Sequence, residues 1–334
     1  MSYKILILVP TTSTTELNNH SIIPSALLRE GHEVHIGDID TLNLHRSVVV
    51  CDQIRVSEEF AVGGDFPTLR RPYASAEEFD LVWVLAGTHP ESGDDSFRLL
   101  WLLNQRVPFV NDAAALYFLN NKINLGAIVP PENLPASYVS NDFDFLNDLV
   151  ESGGSRSWVV KPTDDGCGAD VYVVNRTDGN RTAILGSATG NVLSREGRYG
   201  RTVIGMTKRH AAVQEYIPNV RENEKRVVIA GSTPVTGYNR HHPEHDHRSN
   251  ATLGARFSAL DLTTEEADFA GALGKKLMDL GIFYSGVDLA FPYVIEINMV
   301  NPAGLSYHKR ATGEDLSSTA VNTVLAALRT AGKL

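Results

Sequence analysis

Residues 284–299 have the sequence YSGVDLAFPYVIEINM, in which two apolar runs are separated by Pro292. Short apolar runs bounded by turn residues are typical of buried strands, so we expect two adjacent strands here. Successive side chains of a strand point to opposite faces, so Glu296 and Asn298 project together, towards Asp288 in the first strand. The opposite face of the second strand carries apolar residues that we expect to pack in the core, namely Ile295, Ile297 and Met299.

Carboxylate and amide oxygens in this arrangement suit a hard cation such as Mg²⁺, which proteins usually bind through a few carboxylates together with substrate phosphates. The pattern therefore indicates nucleotide chemistry. The alternative interpretation is a solvated strand edge whose polar groups bond to nearby turns. The rest of the chain must decide between the two.

The composition is that of an ordinary globular protein. The chain has 334 residues, of which 43% are hydrophobic and 21% are charged, and this length is enough for two or three packed units. The net charge of -10 and the isoelectric point near 5.6 argue against nucleic acid or a membrane as a partner, because both attract clustered Lys and Arg. A bound polyanion would need a local basic pocket.

Cysteine usage and hydropathy predict a cytoplasmic protein. Cys51 and Cys167 lie far apart in unlike contexts, so we expect no disulfide framework. The apolar run at Tyr3 to Val9 is too short for an export signal, and no stretch approaches the ~20 apolar residues of a membrane span.

The first third of the chain has the pattern of a βαβ unit. Residues 3–9 predict a buried strand, the helical spacing from Ile22 to Leu27 ends near Gly31, and a second strand follows at 33–36. Strands at 80–86 and 108–110, with a helix at about 96–105 between them, extend this to an open α/β sheet of about 120 residues. No Gly-x-Gly-x-x-Gly follows the first strand, so a dinucleotide-dependent oxidoreductase is not supported.

From about residue 121 short β segments dominate, which predicts an α+β arrangement with antiparallel hairpins. The predicted strands are 136–139, 157–161, 170–174, 212–217, 225–230 and 234–239. Long helices are predicted at 263–280 and 317–328. No repeat, heptad or low-complexity tract appears, so a solenoid or a filament has no support.

A lysine and two glycines follow one of these strands. Lys161 ends the strand, and Gly166 and Gly168 lie in the next turn, where glycine lets backbone N–H groups approach a phosphate. Each feature alone fits a surface lysine and a simple hairpin. Further along, Arg226, Arg240, Arg248 and Asn250 follow within about 25 residues, and three arginines near a carboxylate cluster predict a phosphate and carboxylate pocket.

Eight motifs appear in a fixed order: Asn121-Lys122, Val160-Lys161-Pro162, the Gly166/Gly168 loop, Gln214 to Pro218, Glu224 to Val227, Arg248-Ser249-Asn250, Gly286-Val287-Asp288 and Glu296-Ile297-Asn298. As an ordered set they resemble the ATP-grasp ligases, and most closely prokaryotic glutathione synthetase. The resemblance covers nearly the whole chain and is strongest from about residue 108 to 304. It implies a mixed α/β and α+β fold, with an N-terminal Rossmann-like open sheet in residues 1–120 and an ATP-grasp domain in residues 121–334. The latter would comprise a small lid subdomain at about 136–212 and a C-terminal antiparallel-sheet catalytic part at about 213–334.

The resemblance also implies a role for each motif. ATP would be held through a set of cofactor-binding residues: Lys122 and Lys161 on its phosphates, Gly166 and Gly168 in the covering loop, and Gln214, Glu215, Tyr216, Ile217 and Glu224 around the adenine and ribose. Two Mg²⁺ ions, for which Mn²⁺ is an alternative, would be bound by Asp288, Glu296 and Asn298. The catalytic set would be Arg226, Arg248 and Asn250. The amino-acid substrates would contact Arg240, Asn301, Pro302 and Ala303.

Three segments depart from the family pattern. The family's Ser-Pro-Thr after the metal motif is Asn301-Pro302-Ala303 here, and the glycine loop has Cys167 and Ala169 where methionine and glycine are usual. We interpret Cys167 as structural. Residues 241–247 are unusually rich in histidine, and they are interpreted as a solvated loop, with substrate contact and a zinc site as alternatives.

ATP-grasp chemistry implies an ATP-dependent ligase that joins a carboxylate to an amine through an acyl phosphate, releasing ADP and phosphate. The substrates would be amino acids or dipeptides, such as those that form a γ-glutamyl product. Glutathione synthetase proper and a non-catalytic nucleotide-binding protein are the alternatives. The family resemblance further implies a homo-oligomer, either a dimer or a tetramer.

Overall fold

The computed structural model describes residues 1–10, 18–60, 71–87, 93–164, 169–190, 208–243 and 256–334. Within these residues the strands form three sheets, of seven, four and five strands. The first sheet contains β1 (Lys4–Val9), β2 (Glu33–Asp38), β3 (Asn43–His45), β4 (Val48–Val56), β5 (Arg71–Ser75), β6 (Leu81–Val84) and β7 (Phe109–Val110).

The predicted βαβ unit is confirmed at the centre of the first sheet. Strand β1 pairs in parallel with β2 and β6, and β6 pairs in parallel with β7. The helices of this part are α1 (Asn19–Arg29), α2 (Gly93–Asn104), α3 (Ala113–Leu119) and α4 (Leu125–Ile128). The antiparallel strands β3 to β5, which extend the sheet beyond β2, are absent from the prediction.

The second sheet has the order β10-β9-β11-β8 and is antiparallel. Its strands are β8 (Ser137–Ser140), β9 (Ser157–Pro162), β10 (Tyr172–Asn175) and β11 (Ala211–Glu215). Helices α5 (Phe143–Ser152) and α6 (Arg181–Ala188) cover one face, where Leu146, Val150 and Leu185 pack against Trp158 and Val160. The prediction of β segments alone was incomplete here, although Leu146 and Val150 have the i, i+4 spacing of a helix face.

The third sheet has the order β14-β13-β12-β15-β16 and contains the strands with which the sequence analysis began. Its strands are β12 (Lys225–Ala230), β13 (Thr233–His241), β14 (Arg256–Ala259), β15 (Tyr284–Ala290) and β16 (Tyr293–Asn298). The accompanying helices are α7 (Val220–Asn223), α8 (Thr264–Asp279), α9 (Leu305–Thr312) and α10 (Ser317–Thr330). Short 3₁₀ turns occur at Ile39–Thr41, Lys122–Asn124 and Pro131–Asn133. Among the described residues no helix is both long and apolar enough to cross a membrane.

Two hydrophobic cores join the first sheet to the third. One contains Leu6 and Val82 of the first sheet together with Val287 and Ile297 of the third. The other packs α10 against α1 and includes Val228 of β12. The end of the chain therefore packs on its beginning. The predicted domain boundary between residues 120 and 121 stays a prediction.

Asn111, which follows β7, fastens the first sheet to the start of β15 and the end of β16. Its Nδ2 donates to the carbonyl oxygens of Tyr284 and Met299, each at 2.7 Å. Its Oδ1 accepts from the amides of Phe283 at 2.7 Å and Tyr284 at 3.0 Å. The side chain is 2% exposed, and its two donors and its acceptor oxygen are fully used. One side chain thus satisfies four backbone groups at the ends of the two strands.

We predict that Asn111→Ala lowers the free energy of unfolding by on the order of 3–5 kcal/mol, because it leaves these buried backbone groups without partners. Urea denaturation measures the loss. The matched control is Asn133→Ala, which removes one hydrogen bond to the Pro292 carbonyl near the surface and should cost less than about 1 kcal/mol. A loss of less than about 1 kcal/mol in Asn111→Ala would contradict the structural role.

Candidate functional site

The oxygen-bearing face predicted from the sequence is formed by β15 and β16. Asp288 pairs directly with Glu296, and Gly286 pairs with Asn298. Residues that face each other in an antiparallel pair project to the same side, so the two carboxylates and the amide lie together on one face. Ile297 and Met299 lie in the core on the other side, as predicted.

The prediction for Ile295 was wrong. The register shifts after Asp288, so that Leu289 pairs with Val294 and Ile295 is the extra residue of a β-bulge. Ile295 consequently packs beside Tyr216, Ile217 and Val220 instead of in the core beneath the sheet. The bulge thereby connects the β16 strand to the segment predicted to bind adenine.

Asp288 is bound by two arginines. Arg226 lies directly opposite it in β12, and its Nε donates to Oδ1 while its Nη2 donates to Oδ2 at 2.7 Å. Arg240 of β13 brings its Nη1 to 3.3 Å from the same Oδ2. Asp288 is 3% exposed, so this is a buried, charge-assisted cluster.

Glu224 contacts the same nitrogen of Arg240 that approaches Asp288. Its Oε1 accepts from Arg240 Nη1 at 2.7 Å, and its Oε2 lies 2.7 Å from His242 Nε2. Burial lowers the pKa of Arg240, but Asp288, the Tyr238 hydroxyl and Glu224 together raise it above its ordinary value. The side chain of His242 is only 3% exposed, so this histidine does not belong to a solvated loop.

Lys161 lies on the face of the second sheet that α5 and α6 do not cover. Its Nζ donates to Gln214 Oε1 at 2.9 Å, and Gln214 Nε2 donates to Ser137 Oγ at 3.1 Å. Burial lowers the pKa of Lys161 to about 8, against the opposing influence of Glu296. This lysine is thus a buried cation that a phosphate would stabilise, and Gln214 serves it as a hydrogen-bond partner.

Lys122 connects the second sheet to the face that carries Asp288, Glu296 and Asn298. Its amide donates to the Thr163 carbonyl at 2.9 Å, and its Nζ lies 3.4 Å from Glu296 Oε1. A cavity of about 120 Å³ opens here, and its lining includes Lys122, Glu296, Asn298, Thr163 and Asp164. A second cavity of about 300 Å³ is also lined by Thr163 and Asp164, together with Arg209 and His210.

The predicted adenine segment covers the end of β11 and the two residues after it. The amides of Glu215 and Tyr216 already donate to the carbonyls of Ala136 and Ser157, and the Glu215 carboxylate lies 3.5 Å from Arg156 Nε. Within the described part of the chain the Ile217 amide donates to no other protein group. This backbone N–H is therefore the group of the segment that is available to the edge of a base.

The segment Asn301-Pro302-Ala303 lies against the start of α1. Asn19 donates from Nδ2 to Asn301 Oδ1 at 2.8 Å and to the Pro302 carbonyl at 2.7 Å. Asn301 Nδ2 lies 2.9 Å from His20 Nε2, and burial lowers the pKa of His20. The side chain of Asn301 is therefore hydrogen-bonded to residues of α1. Of the two residues that differ from the family pattern, Ala303 has no such contact to hold it among the described residues.

Four of the predicted site residues, Gly166, Gly168, Arg248 and Asn250, lie outside the described residues, as do Cys167 and residues 244–247 of the histidine-rich segment. The sequence prediction missed Asn19, His20, Thr163 and Asp164. Thr163 and Asp164 had a usable signal, because they directly follow the strand that ends in Lys161 and Pro162. For Asn19 the sequence gives no such signal, since its hydrogen-bond partners lie more than 280 residues away.

The residues present suit a divalent cation in type. Glu296 and Asn298 line one cavity, and their carboxylate and amide oxygens are of the type that Mg²⁺ takes as ligands. No group of three or more His, Cys, Asp or Glu side chains is placed to hold a metal ion among those residues. A cation here would therefore need the Asn298 amide and substrate oxygens besides the carboxylates, which is the usual condition of protein-bound Mg²⁺.

Comparison with known proteins gives a consistent result. A family model described as the ATP-grasp domain of prokaryotic glutathione synthetase matches residues 123–313. The glutathione synthetase of Gloeobacter violaceus is 25% identical over 321 residues, which cover 90% of each chain. That of Brucella melitensis is 24% identical over 324 residues, which cover 95% of this chain and 97% of the relative.

Solved structures show the same fold. The D-cycloserine synthetase DcsG has a TM-score of 0.65 at 14% identity and covers 97% of this chain and 99% of its own. The ATP-grasp ligase PsnB complexed with a minimal precursor has a TM-score of 0.61 at 14% identity, with coverages of 97% and 98%. The predicted ATP-grasp fold is thus confirmed. The chain belongs to the prokaryotic glutathione synthetase family of ATP-grasp ligases, and it is an amino-acid or peptide ligase.

Proposed function

We propose that the protein forms an amide bond between the carboxylate of one small amino-acid substrate and the amine of another, with ATP converted to ADP and phosphate. One observation carries the proposal. Within the described residues, four cationic side chains with little exposure lie near the carboxylates of Glu224, Asp288 and Glu296: Lys122 of a 3₁₀ turn, Lys161 of the second sheet, and Arg226 and Arg240 of the third. Cationic side chains held in fixed positions beside such a pocket stabilise phosphate groups in transfer.

ATP would be held by Lys122 and Lys161 at its phosphates and by the Ile217 amide at its adenine edge. The divalent cation would be held by Glu296, Asn298 and Asp288. When bound, it would neutralise the charge of the ATP phosphates. Gly166, Gly168, Arg248 and Asn250 are assigned to the covering loop and to the transferred phosphate by the family motif. Gln214 and Glu224 act through Lys161 and Arg240, which they bind.

The chemistry needs two displacements. A carboxylate oxygen of the donor attacks the terminal phosphorus of ATP, and ADP leaves; the amine then attacks the acyl carbon, loses a proton and expels phosphate. The protein aligns the reactants and neutralises developing charge, so it needs no nucleophile of its own. Arg226 and Arg240 are suited to the donor carboxylate because a guanidinium binds it through two parallel hydrogen bonds.

Two choices of substrate are considered. The glutathione synthetase relatives favour γ-glutamylcysteine with glycine. The Asn301-Pro302-Ala303 segment, which differs from the family's Ser-Pro-Thr, favours a ligase for other amino acids or γ-glutamyl dipeptides. We place this segment at the entry of the acceptor amine, and we propose the second alternative.

We predict one ADP and one orthophosphate for each amide bond formed. A screen of amino acids and γ-glutamyl dipeptides in pairs, read by phosphate release and mass spectrometry, identifies the substrates and includes γ-glutamylcysteine with glycine. With the cognate pair, ¹⁸O in the donor carboxylate should appear in the orthophosphate, because the acyl phosphate oxygen leaves with it. Label in AMP, together with pyrophosphate, would exclude the acyl-phosphate route.

Glu296→Gln should lower kcat by on the order of 10²–10³, because it removes one charge from the cation site while keeping the shape of the side chain. The strand is held from its other face by Ile297 and Met299, so thermal unfolding should change little. Glu132→Gln, at an exposed position, is the charge-matched control. Near wild-type turnover of Glu296→Gln at saturating Mg²⁺ would remove Glu296 from the site.

Lys161 should make ATP binding dependent on pH. Its pKa in the free protein is lowered to about 8 by burial, and bound phosphate favours the charged form, so binding takes up a proton above pH 8. Affinity should therefore fall about tenfold between pH 7 and pH 9. Calorimetry in two buffers of different ionisation enthalpy measures the uptake.

The control for this pH dependence is Lys161→Arg, whose side chain stays charged throughout the range. Comparing the variant with the wild type also cancels the titration of ATP itself, because it affects both measurements equally. The dependence should disappear in the variant. An equal pH dependence in both proteins would show that Lys161 is not the titrating group.

A further inference from the structure

The three side chains proposed to bind the divalent cation are not equally accessible to it. Glu296 and Asn298 face the cavity, and the Glu296 side chain is 30% exposed. Asp288 is buried. Its Oδ1 and Oδ2 accept from Arg226 Nε and Nη2, and Oδ2 also lies 3.3 Å from Arg240 Nη1. The guanidinium of Arg226 thus occupies both oxygens of the carboxylate that a cation would need.

The sheet fixes the backbone of this pair, so the two residues could separate only through their side chains. Arg226 and Asp288 are direct partners across β12 and β15, so their Cα positions are set by the sheet. Gly286 provides space for the arginine, because a Cβ there would lie 2.9 Å from Arg226 Cδ and 2.7 Å from Pro302 Cβ. Release of Asp288 therefore requires a side-chain rotation of Arg226 and no change of the strands.

We propose that Arg226 is a placeholder for the divalent cation: it neutralises Asp288 while the cation is absent and releases it when an anionic substrate group draws the guanidinium away. The inference rests on the proposed function, since it takes Asp288 as a cation ligand. A guanidinium and a divalent cation at one buried carboxylate repel each other strongly, because the interior screens charge poorly. An anion that binds Arg226 must therefore tighten cation binding, and by thermodynamic reciprocity the cation tightens anion binding.

The test is a titration of the nucleotide-free protein with Mn²⁺, in which electron paramagnetic resonance reports the free ion. Arg226→Met should bind Mn²⁺ at least about fivefold more tightly than the wild type, because Oδ1 of Asp288 then has no arginine partner and only Arg240, at Oδ2, remains. Lys225→Gln is the matched control, since it removes the same charge from the adjacent residue. Lys225 points to Glu266, at 2.7 Å on the opposite side of the sheet. This control should bind Mn²⁺ as the wild type does.

A second measurement uses inorganic phosphate as the anion. Phosphate should tighten Mn²⁺ binding to the wild type and should have no such effect on Arg226→Met, after a protein-free titration has accounted for complexes in solution. Should Arg226→Met fail to fold, the wild type alone decides: an unchanged Mn²⁺ affinity in the presence of phosphate overturns the proposal. Weaker or unchanged Mn²⁺ binding by folded Arg226→Met also overturns it, because Arg226 would then orient Asp288 or have no influence on the cation.

The outcome is separable from that of the proposed function. Formation of ADP, phosphate and the amide product by the wild type is measured independently of Mn²⁺ titration. A ligase that shows no coupling between phosphate and Mn²⁺ retains the proposed function and loses the placeholder role. If phosphate and Mn²⁺ binding are coupled but no ligase product forms, the placeholder role is retained and the proposed function is lost.

Discussion

The four hydrogen bonds of Asn111 are the constraint on which the geometry of the site depends. They fasten β15 and β16 to the edge of the first sheet, and they use every hydrogen-bonding group of a buried side chain. A slip of either strand would break several of them at once. Asp288 and Glu296 therefore keep their relative positions through a residue that lines neither cavity.

The buried charges of the site are arranged so that each has a partner. Burying an ion is costly unless it is paired and hydrogen-bonded, and a carboxylate left without its arginine would be strongly destabilising. Glu224 binds Arg240 and His242, Asp288 binds Arg226 and Arg240, and Lys161 binds Gln214. Lys161 alone has a neutral partner, and its pKa is accordingly lowered by burial to about 8. Under the proposed function, an ATP phosphate would supply a counter-charge to this lysine.

The sequence predicts much of the fold because apolar periodicity is a local property. It predicts β12 at residues 225–230, where the structure has it, and the long helices α8 and α10 to within about two residues. It also places Glu296 and Asn298 on one face of a strand, which follows from the alternation of side chains alone. The helices α5 and α6 were missed although Leu146 and Val150 carry a helical spacing. The sequence does not reveal the bulge at Ile295, because register depends on the partner strand.

The contacts of residues 301–303 could not have been found from local patterns, and they change how specificity must be understood. Asn19 and His20 hold Asn301 and Pro302 from a position more than 280 residues earlier in the chain. Under the proposed function this segment borders the acceptor amine, so its position is set jointly by the end of β16 and the start of α1. Residues that share hydrogen bonds do not contribute independently to binding energy. Acceptor preference would then be a property of the pair formed by α1 and the segment after β16, and changing residues 301–303 alone would alter the substrate contact and its support together.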